Sequence, residues 1–173
     1  MLRKIVKYGN PALEEVCRPV ADEEFGGQEL RSLVADMFET MYHAQGVGLA
    51  APQVGVLKRL TVIDCAAGEG DAAPHVLINP EITAEEGAQV GREGCLSIPG
   101  FTGSVSRPMT VRVRYRTVDG ERGELQGEGL LARVICHEND HLNGVLFLRH
   151  LSALKRSMIK KKIRALRKQG EWD

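Results

Sequence analysis

Residues 130–142 place two histidines and a glutamate inside one predicted helix. His137 and His141 are four residues apart, so both side chains project from one helix face and can reach the same metal ion. Glu138 lies beside that face, where a carboxylate can act on a water molecule without being a ligand. A buried imidazole without a partner is costly, so the pattern favours a metal site over a chance pair of surface histidines. The residues that predict burial of this helix are Leu130, Leu131, Val134 and Ile135.

The residues alone do not decide which side chain is the third ligand of such a site. A catalytic site usually has three protein ligands and one open position. The position that holds a third histidine in one group of metalloproteases is Phe147 here, and the later acids, Glu171 and Asp173, are poorly placed for a rigid ligand. Upstream, Cys95 follows Gly94, and a thiolate with two imidazoles suits zinc or ferrous iron. The other candidates are His43, His75, His150, an acid and, more weakly, Cys136.

Composition limits the possible partners and locations. A chain of 173 residues fits one domain, residues 1–173, with a buried core. Lys plus Arg and Asp plus Glu both total 23, so an electrostatic partner must bind a local patch. No apolar run approaches the ~18 residues of a membrane helix, and the first residues lack the apolar core of a signal peptide. We therefore expect a cytoplasmic protein. Its cysteines have no paired spacing, and most should be small core residues: Cys17, Cys65, Cys95 and Cys136.

Periodicity predicts two further helices. The first covers residues 29–43 and is expected to end at the Gln45-Gly46 pair, a glycine stop. The second covers residues 152–168. Its predicted buried side consists of Leu154, Met158, Ile159, Ile163 and Leu166.

Strands are predicted between the helices. β-Branched runs indicate strands at 60–63 and 76–78, joined by a small-residue loop at 66–73. The alternating run at 110–117 predicts a half-exposed strand, which the Asp119-Gly120 pair turns into a hairpin. The order of elements predicts an α+β fold, with antiparallel or mixed sheets and hairpins packed around the helix that carries H-E-x-x-H.

Three segments resemble the signatures of the peptide deformylase family. Residues 46–53, GVGLAAPQ, are similar to the first signature, G-x-G-x-A-A-x-Q. Residues 93–97, EGCLS, are similar to the second, E-G-C-L-S, and residues 137–141, HENDH, are similar to the third, H-E-x-D-H. They occur in the family's order and spacing, and the resemblance covers nearly the whole chain. One departure is Cys136, where the family often has glutamine. It changes the packing expected behind His137 and adds an oxidisable thiol there.

The resemblance implies a hydrolase that removes the formyl group from the N-terminal N-formylmethionine of nascent proteins. Cys95, His137 and His141 would bind one divalent metal ion, with ferrous iron expected and zinc, nickel or cobalt as alternatives. Glu138 would take the proton of the attacking water and pass it to the departing amine.

The resemblance also implies the groups that hold the substrate. The Gln53 side-chain amide and the Leu96 backbone N–H would donate hydrogen bonds to the formyl oxygen. Gly48 would leave room for backbone pairing with an extended peptide. The methionine pocket and its surroundings would be formed by Val47, Leu130 and Val134, with Glu93 and Arg133 nearby.

The last predicted helix is basic. In bacterial deformylases the corresponding helix is associated with docking on the ribosome near the exit tunnel, so the resemblance implies the ribosome as a partner beside formylmethionyl peptides. No membrane and no direct DNA partner is expected. The basic residues are Lys155, Arg156, Lys160, Lys161, Lys162, Arg164, Arg167 and Lys168.

Two other functions compete with this interpretation. A neutral metalloprotease would cleave internal peptide bonds and use a third ligand other than Cys95. A ribosome-associated module that keeps a metal for structure would have four protein ligands, because structural sites are normally closed. The presence of Glu138 and Gln53 argues against the second alternative.

Overall fold

The computed structural model describes residues 1–66 and 73–172 and has the α+β fold that the sequence predicts. None of the helices in these ranges combines the length and apolar character needed to span a bilayer. The helices are α1 (Gln28–His43), α2 (Leu130–Leu142) and α3 (Ala153–Lys168). The strands are β1 (Gly48–Ala50), β2 (Leu60–Ile63), β3 (His75–Glu86), β4 (Gln89–Gly94), β5 (Thr102–Arg107), β6 (Thr110–Arg116) and β7 (Arg122–Glu128).

The strands form one large sheet and one hairpin. The sheet has the order β1-β2-β3-β6-β7, β4 and β5 form a separate two-stranded sheet, and all these pairings are antiparallel. The structure confirms the predicted strand at 60–63 and the hairpin of β6 and β7, whose turn includes Gly120 with φ 87°. The predicted loop at 66–73 falls mostly on residues 67–72, which lie outside the described residues.

Strand β3 is much longer than the three residues predicted at 76–78. Asn79 and Pro80 follow the predicted segment, and a proline normally interrupts a strand. In the structure the ladder to β6 shifts register between Ile78 and Glu81, and Asn79 takes a left-handed conformation with φ 51°. The Asn79 side chain accepts from Val20 N–H at 2.9 Å and donates to Val20 O at 3.0 Å. This irregularity accommodates Pro80, which has no N–H to donate, and lets the strand continue.

Helix α1 ends differently from the predicted glycine stop. Its last residue is His43, and the left-handed residue after the cap is Gln45 with φ 56°. Gly46 N–H donates to Met41 O at 2.9 Å, and Gln45 N–H donates to Tyr42 O at 3.0 Å, the pattern of a Schellman motif. A Cβ on Gly46 would lie 2.7 Å from a methyl group of Leu96. The glycine therefore makes room for Leu96, and it is not the residue that ends the helix.

Helix α2 has the predicted bounds and occupies the centre of the fold. It contacts β1, β2, β5, β6 and β7. Ala132 and Ile135 are fully buried against the sheet. Leu130, however, was predicted to be buried and is 52% exposed, because it is the first helical residue and lines an open cavity. Gly144, with φ 70°, ends the helix as predicted.

Helix α3 begins after Ser152, whose side chain accepts from Lys155 N–H at 3.2 Å. Ile159 and Ile163 are buried as predicted. Leu154 and Met158 were predicted on the same face, but they are exposed. The buried stripe is therefore narrower than periodicity suggested.

Candidate active site

Cys95 lies in the turn that connects β4 to β5. Ile98 N–H donates to Cys95 O at 2.9 Å and closes the first part of this turn. The side chains of Ser97 and Ile98 are fully buried, which anchors the turn against the rest of the fold. As a result the half-buried Cys95 thiol faces the central helix.

Cys95, His137 and His141 form one cluster. Their potential ligand atoms all lie within 4.8 Å of one another, and Cys95 Sγ is 3.4 Å from His141 Nε2. Among the residues that the structure describes, this is the only group of three or more His, Cys, Asp or Glu side chains arranged to share an ion. The other candidates for the third ligand, His43 and His75 among them, are not part of it.

The cluster fits a divalent transition-metal ion. Thiolate and imidazole donors about 2.0–2.3 Å from one centre lie a few ångström apart, as these atoms do. His141 Nδ1 is buried without a hydrogen-bond partner among the described residues, and burial, together with the charge of His137, holds the pKa of His141 well below its usual value. A neutral imidazole is the form that binds a metal.

The surroundings of His137 favour positive charge. Burial alone would lower the pKa of His137, but its contacts with Cys95 and Glu93 raise the pKa well above the usual value. His137 Nδ1 lies 2.8 Å from Glu93 Oε1, which orients the ring and leaves Nε2 for the cluster. The same negative groups would stabilise a cation bound at this place.

Glu138 is a buried carboxylate next to the cluster. Its Oε2 has no hydrogen-bond partner among the described residues, and burial raises the pKa of Glu138 to about 7. A Cβ on Gly48 would press against Glu138 Oε1 and a methyl group of Val134, so glycine at this position of β1 leaves the carboxyl group its space. A carboxyl group with a pKa near neutrality can both take up and release a proton.

Gln53 is held in one orientation beside Cys95. It lies in a 3₁₀ turn, Ala51–Val54, and is 1% exposed. Its Oε1 accepts from Ala50 N–H at 2.9 Å, so its Nε2 points to Ser97 Oγ at 3.2 Å and to Cys95 Sγ at 3.5 Å. The backbone N–H of Leu96 makes no hydrogen bond to another described residue. Gln53 Nε2 therefore lies next to Cys95, and the Leu96 N–H follows Cys95 directly in the chain.

A cavity of about 590 Å³ opens above the cluster. Its wall includes Gln53, Cys95, Leu96, His137 and Glu138. All six residues that the resemblance assigned to substrate binding also line it: Val47, Gly48, Glu93, Leu130, Arg133 and Val134.

Glu93 takes part in an ion-pair network that the sequence does not predict. Arg107 binds both carboxylate oxygens of Glu93, at 2.8 and 2.9 Å, and Arg133 donates to Glu93 Oε2 at 2.7 Å. Arg107 also donates to Asp140 Oδ2 at 2.8 Å, which lies 2.8 Å from His150 Nε2. Burial opposes ionisation of Glu93, but Arg107 and His137 hold its pKa well below the usual value.

Arg107→Met should destabilise the fold strongly. Arg107 and Glu93 are each 5% exposed, so the substitution leaves a buried carboxylate without its main partner. Breaking a buried pair in this way costs about 3–5 kcal/mol. Urea unfolding of the metal-free protein measures the loss. Arg112→Met is the matched control, because the pair that Arg112 forms with Glu124 is exposed and its loss should cost less than ~1 kcal/mol. Equal losses in the two variants would contradict the role given to the network.

Cys136, the departure from the family pattern, stays outside the ligand cluster. It is 6% exposed and packs among apolar residues between α2 and the sheet. Burial raises the pKa of Cys136 to about 11, so the thiol is protonated at neutral pH. It behaves as a small core residue behind the histidine that it precedes.

The comparisons with known proteins agree with this geometry. The polypeptide deformylase family profile matches residues 2–157. The chain is 52% identical over 172 residues to a peptide deformylase of Acidobacterium capsulatum, covering 99% of each chain. A crystal structure of a peptide deformylase from Legionella pneumophila superposes with a TM-score of 0.90 at 40% identity, covering 100% of this chain and 99% of that one. The peptide deformylase of Thermus thermophilus gives a TM-score of 0.85 at 41% identity, covering 95% of each chain.

The fold, the buried H-E-x-x-H helix and these relatives define a hydrolase. More specifically, the chain belongs to the peptide deformylase family, metal-dependent enzymes that remove the N-formyl group from nascent formylmethionyl peptides.

Proposed function

We propose that Cys95, His137 and His141 hold one divalent metal ion with which this enzyme hydrolyses the formyl amide of N-formylmethionine and releases formate. The observation that carries the proposal is that the ligand atoms of these three side chains lie within 4.8 Å of one another next to a cavity, beside a carboxylate oxygen of Glu138 that has no hydrogen-bond partner among the described residues. When bound, such an ion polarises a carbonyl oxygen and lowers the pKa of a water molecule. Ferrous iron is the ion that we propose, in the cytoplasm, where nascent chains emerge.

Glu138 is the proton-transfer group in this proposal. Its carboxylate accepts a proton from the attacking water and then donates it to the methionine nitrogen as the C–N bond breaks. Its pKa of about 7 suits both steps at neutral pH. Oε2 has no hydrogen-bond partner within residues 1–66 and 73–172, which supports the role, because no such contact competes with a water molecule.

Gln53 and Leu96 are the proposed donors to the formyl oxygen. Negative charge gathers on that oxygen in the transition state, and donors that are already in position stabilise it without reorganisation. The contact from Ala50 N–H to Gln53 Oε1 supports this role, since it forces the amide nitrogen to face the cluster.

The cavity wall is the proposed site for the methionine side chain and the following backbone. Val47, Leu130 and Val134 supply apolar surface, and the missing side chain of Gly48 leaves space next to Glu138. Glu93 and its partner Arg133 also line the cavity, but Glu93 already binds Arg107 and His137. We therefore assign Glu93 to positioning His137 more than to contacting the substrate.

Formate release tests the proposed function. The protein, purified without oxygen, should release formate from formyl-Met-Ala-Ser and should leave acetyl-Met-Ala-Ser intact. A chelator should stop the reaction, and ferrous iron, nickel, cobalt or zinc should restore it to different extents. Full activity in the presence of chelator would refute metal dependence, and cleavage of internal peptide bonds would favour a metalloprotease.

We also propose that α3 docks on the ribosome. Its exposed face carries cations that include Lys161 and Lys162. Because such contacts release counterions from RNA, affinity should fall steeply with salt. Lys161→Glu combined with Lys162→Glu should weaken co-sedimentation with ribosomes at low salt, whereas the control pair Arg112→Glu and Arg114→Glu on the sheet should not. Equal binding by both double variants would exclude this helix as the docking surface.

A further inference from the structure

One charged side chain at the cavity is not used by the chemistry proposed above. Arg92 lies on β4, is exposed and forms part of the cavity wall. Its side chain makes no hydrogen bond or ion pair with any other residue in the described ranges. An unpaired guanidinium is therefore available to a ligand in the cavity.

The other charged groups of the wall are all engaged or buried. Glu93 and Arg133 pair with each other at 2.7 Å and are each less than 10% exposed. Glu138 is 4% exposed, and His137 belongs to the ligand cluster. The accessible part of the wall consequently carries an uncompensated positive charge at Arg92.

Arg92 lies at a distance from the cluster that matches the substrate residues following formylmethionine. It precedes Cys95 by three residues, and because each residue of β4 spans about 3.3 Å and Cys95 directly follows this strand, the two lie at most about 10 Å apart along the chain. In the described sheets, β4 pairs with β5 alone, so its other edge has no strand partner and can pair with an extended peptide. A peptide whose formyl group is at the cluster spans this distance with its second or third residue.

We propose that Arg92 is a specificity-determining residue that favours substrates with an acidic side chain at the second or third position. The inference rests on the proposed function, since it assumes that the formyl group lies at the cluster. A guanidinium binds a carboxylate through charge-assisted hydrogen bonds, and the effect is moderate because Arg92 is exposed to water. We expect kcat/KM to be about two- to five-fold higher for aspartate than for asparagine at the preferred position.

The test compares formyl-Met-Asp-Ala and formyl-Met-Ala-Asp amides with the matching asparagine peptides. Amidation removes the terminal carboxylate, so that the aspartate and asparagine peptides differ in charge only at the side chain. In the native enzyme at low salt the Asp/Asn ratio of kcat/KM should exceed one at one of the two positions. It should fall to about one in Arg92→Gln and below one in Arg92→Glu, and salt should weaken it in the native enzyme. Arg122→Gln is the control, an exposed strand arginine outside the cavity, and should keep the native ratio.

The inference is overturned if the native ratio is one or less at both positions, or if Arg92→Gln keeps the native preference. These results differ from a failure of the proposed function, in which the neutral asparagine peptides would also release no formate. Because the readout is a ratio within each variant, a partial loss of folded enzyme does not change the conclusion.

Discussion

Cys95→Ala is expected to lose its metal ion and, with it, formate release above background. The thiol supplies one of three donors whose atoms lie within 4.8 Å of one another, and two imidazoles alone bind a divalent ion far more weakly. Metal content after dialysis should fall from about one ion per chain to well below that level. Metal analysis and formate release, both measured without oxygen, check the two parts of this expectation.

Cys136→Ala is the matched control for that loss. Cys136 is also a cysteine near the histidines, but it is buried among apolar residues and lies outside the cluster. The control should keep its metal and most of its turnover. If Cys95→Ala kept full metal content, the third ligand would have to be another residue, and a metalloprotease would become the better interpretation.

Glu138→Gln is expected to keep the metal ion but to reduce kcat by about a thousandfold, within the range for loss of a general acid–base group. The amide has the shape of the carboxyl group but cannot take the proton from water. Since Glu138 is not in the ligand cluster, its replacement should leave metal content unchanged. The substitution also removes a buried, poorly solvated carboxylate, so the melting temperature should not fall.

The exposed Glu128→Gln variant on β7 serves as the control and should resemble the native enzyme in all three measurements. The proposed proton transfer would be wrong if Glu138→Gln kept kcat within tenfold of the native value. A loss of metal in Glu138→Gln would instead mean that this residue supports the cluster itself.

The helices were predicted well because apolar periodicity and glycine stops depend only on residues that are close in the sequence. Helix α2 has a continuous apolar side and a glycine at its end, and the structure has the predicted bounds. Strands β4 and β5 were not predicted, since Gly91 and Gly94 weaken the first and the buried positions of the second include Gly103 and Arg107. A strand whose buried face is not apolar shows no hydrophobic alternation.

Only part of the candidate site could be predicted from the residues alone. The spacing of His137 and His141 predicted that they share a helix face, because both belong to one element. Cys95 reaches them only through the packing of the β4–β5 hairpin on α2, so the residues alone left several candidates for the third ligand. The pairing of Arg107 with Glu93 is likewise a tertiary contact, and nothing in the sequence around Arg107 indicates burial.

X-ray absorption spectroscopy of the protein loaded with one zinc ion tests the central claim most directly. The account predicts one sulfur scatterer at about 2.3 Å, two imidazole nitrogens at about 2.0–2.1 Å and a light scatterer from solvent. A spectrum without sulfur, or with a fourth protein ligand in place of solvent, would contradict a catalytic metal centre built from Cys95, His137 and His141.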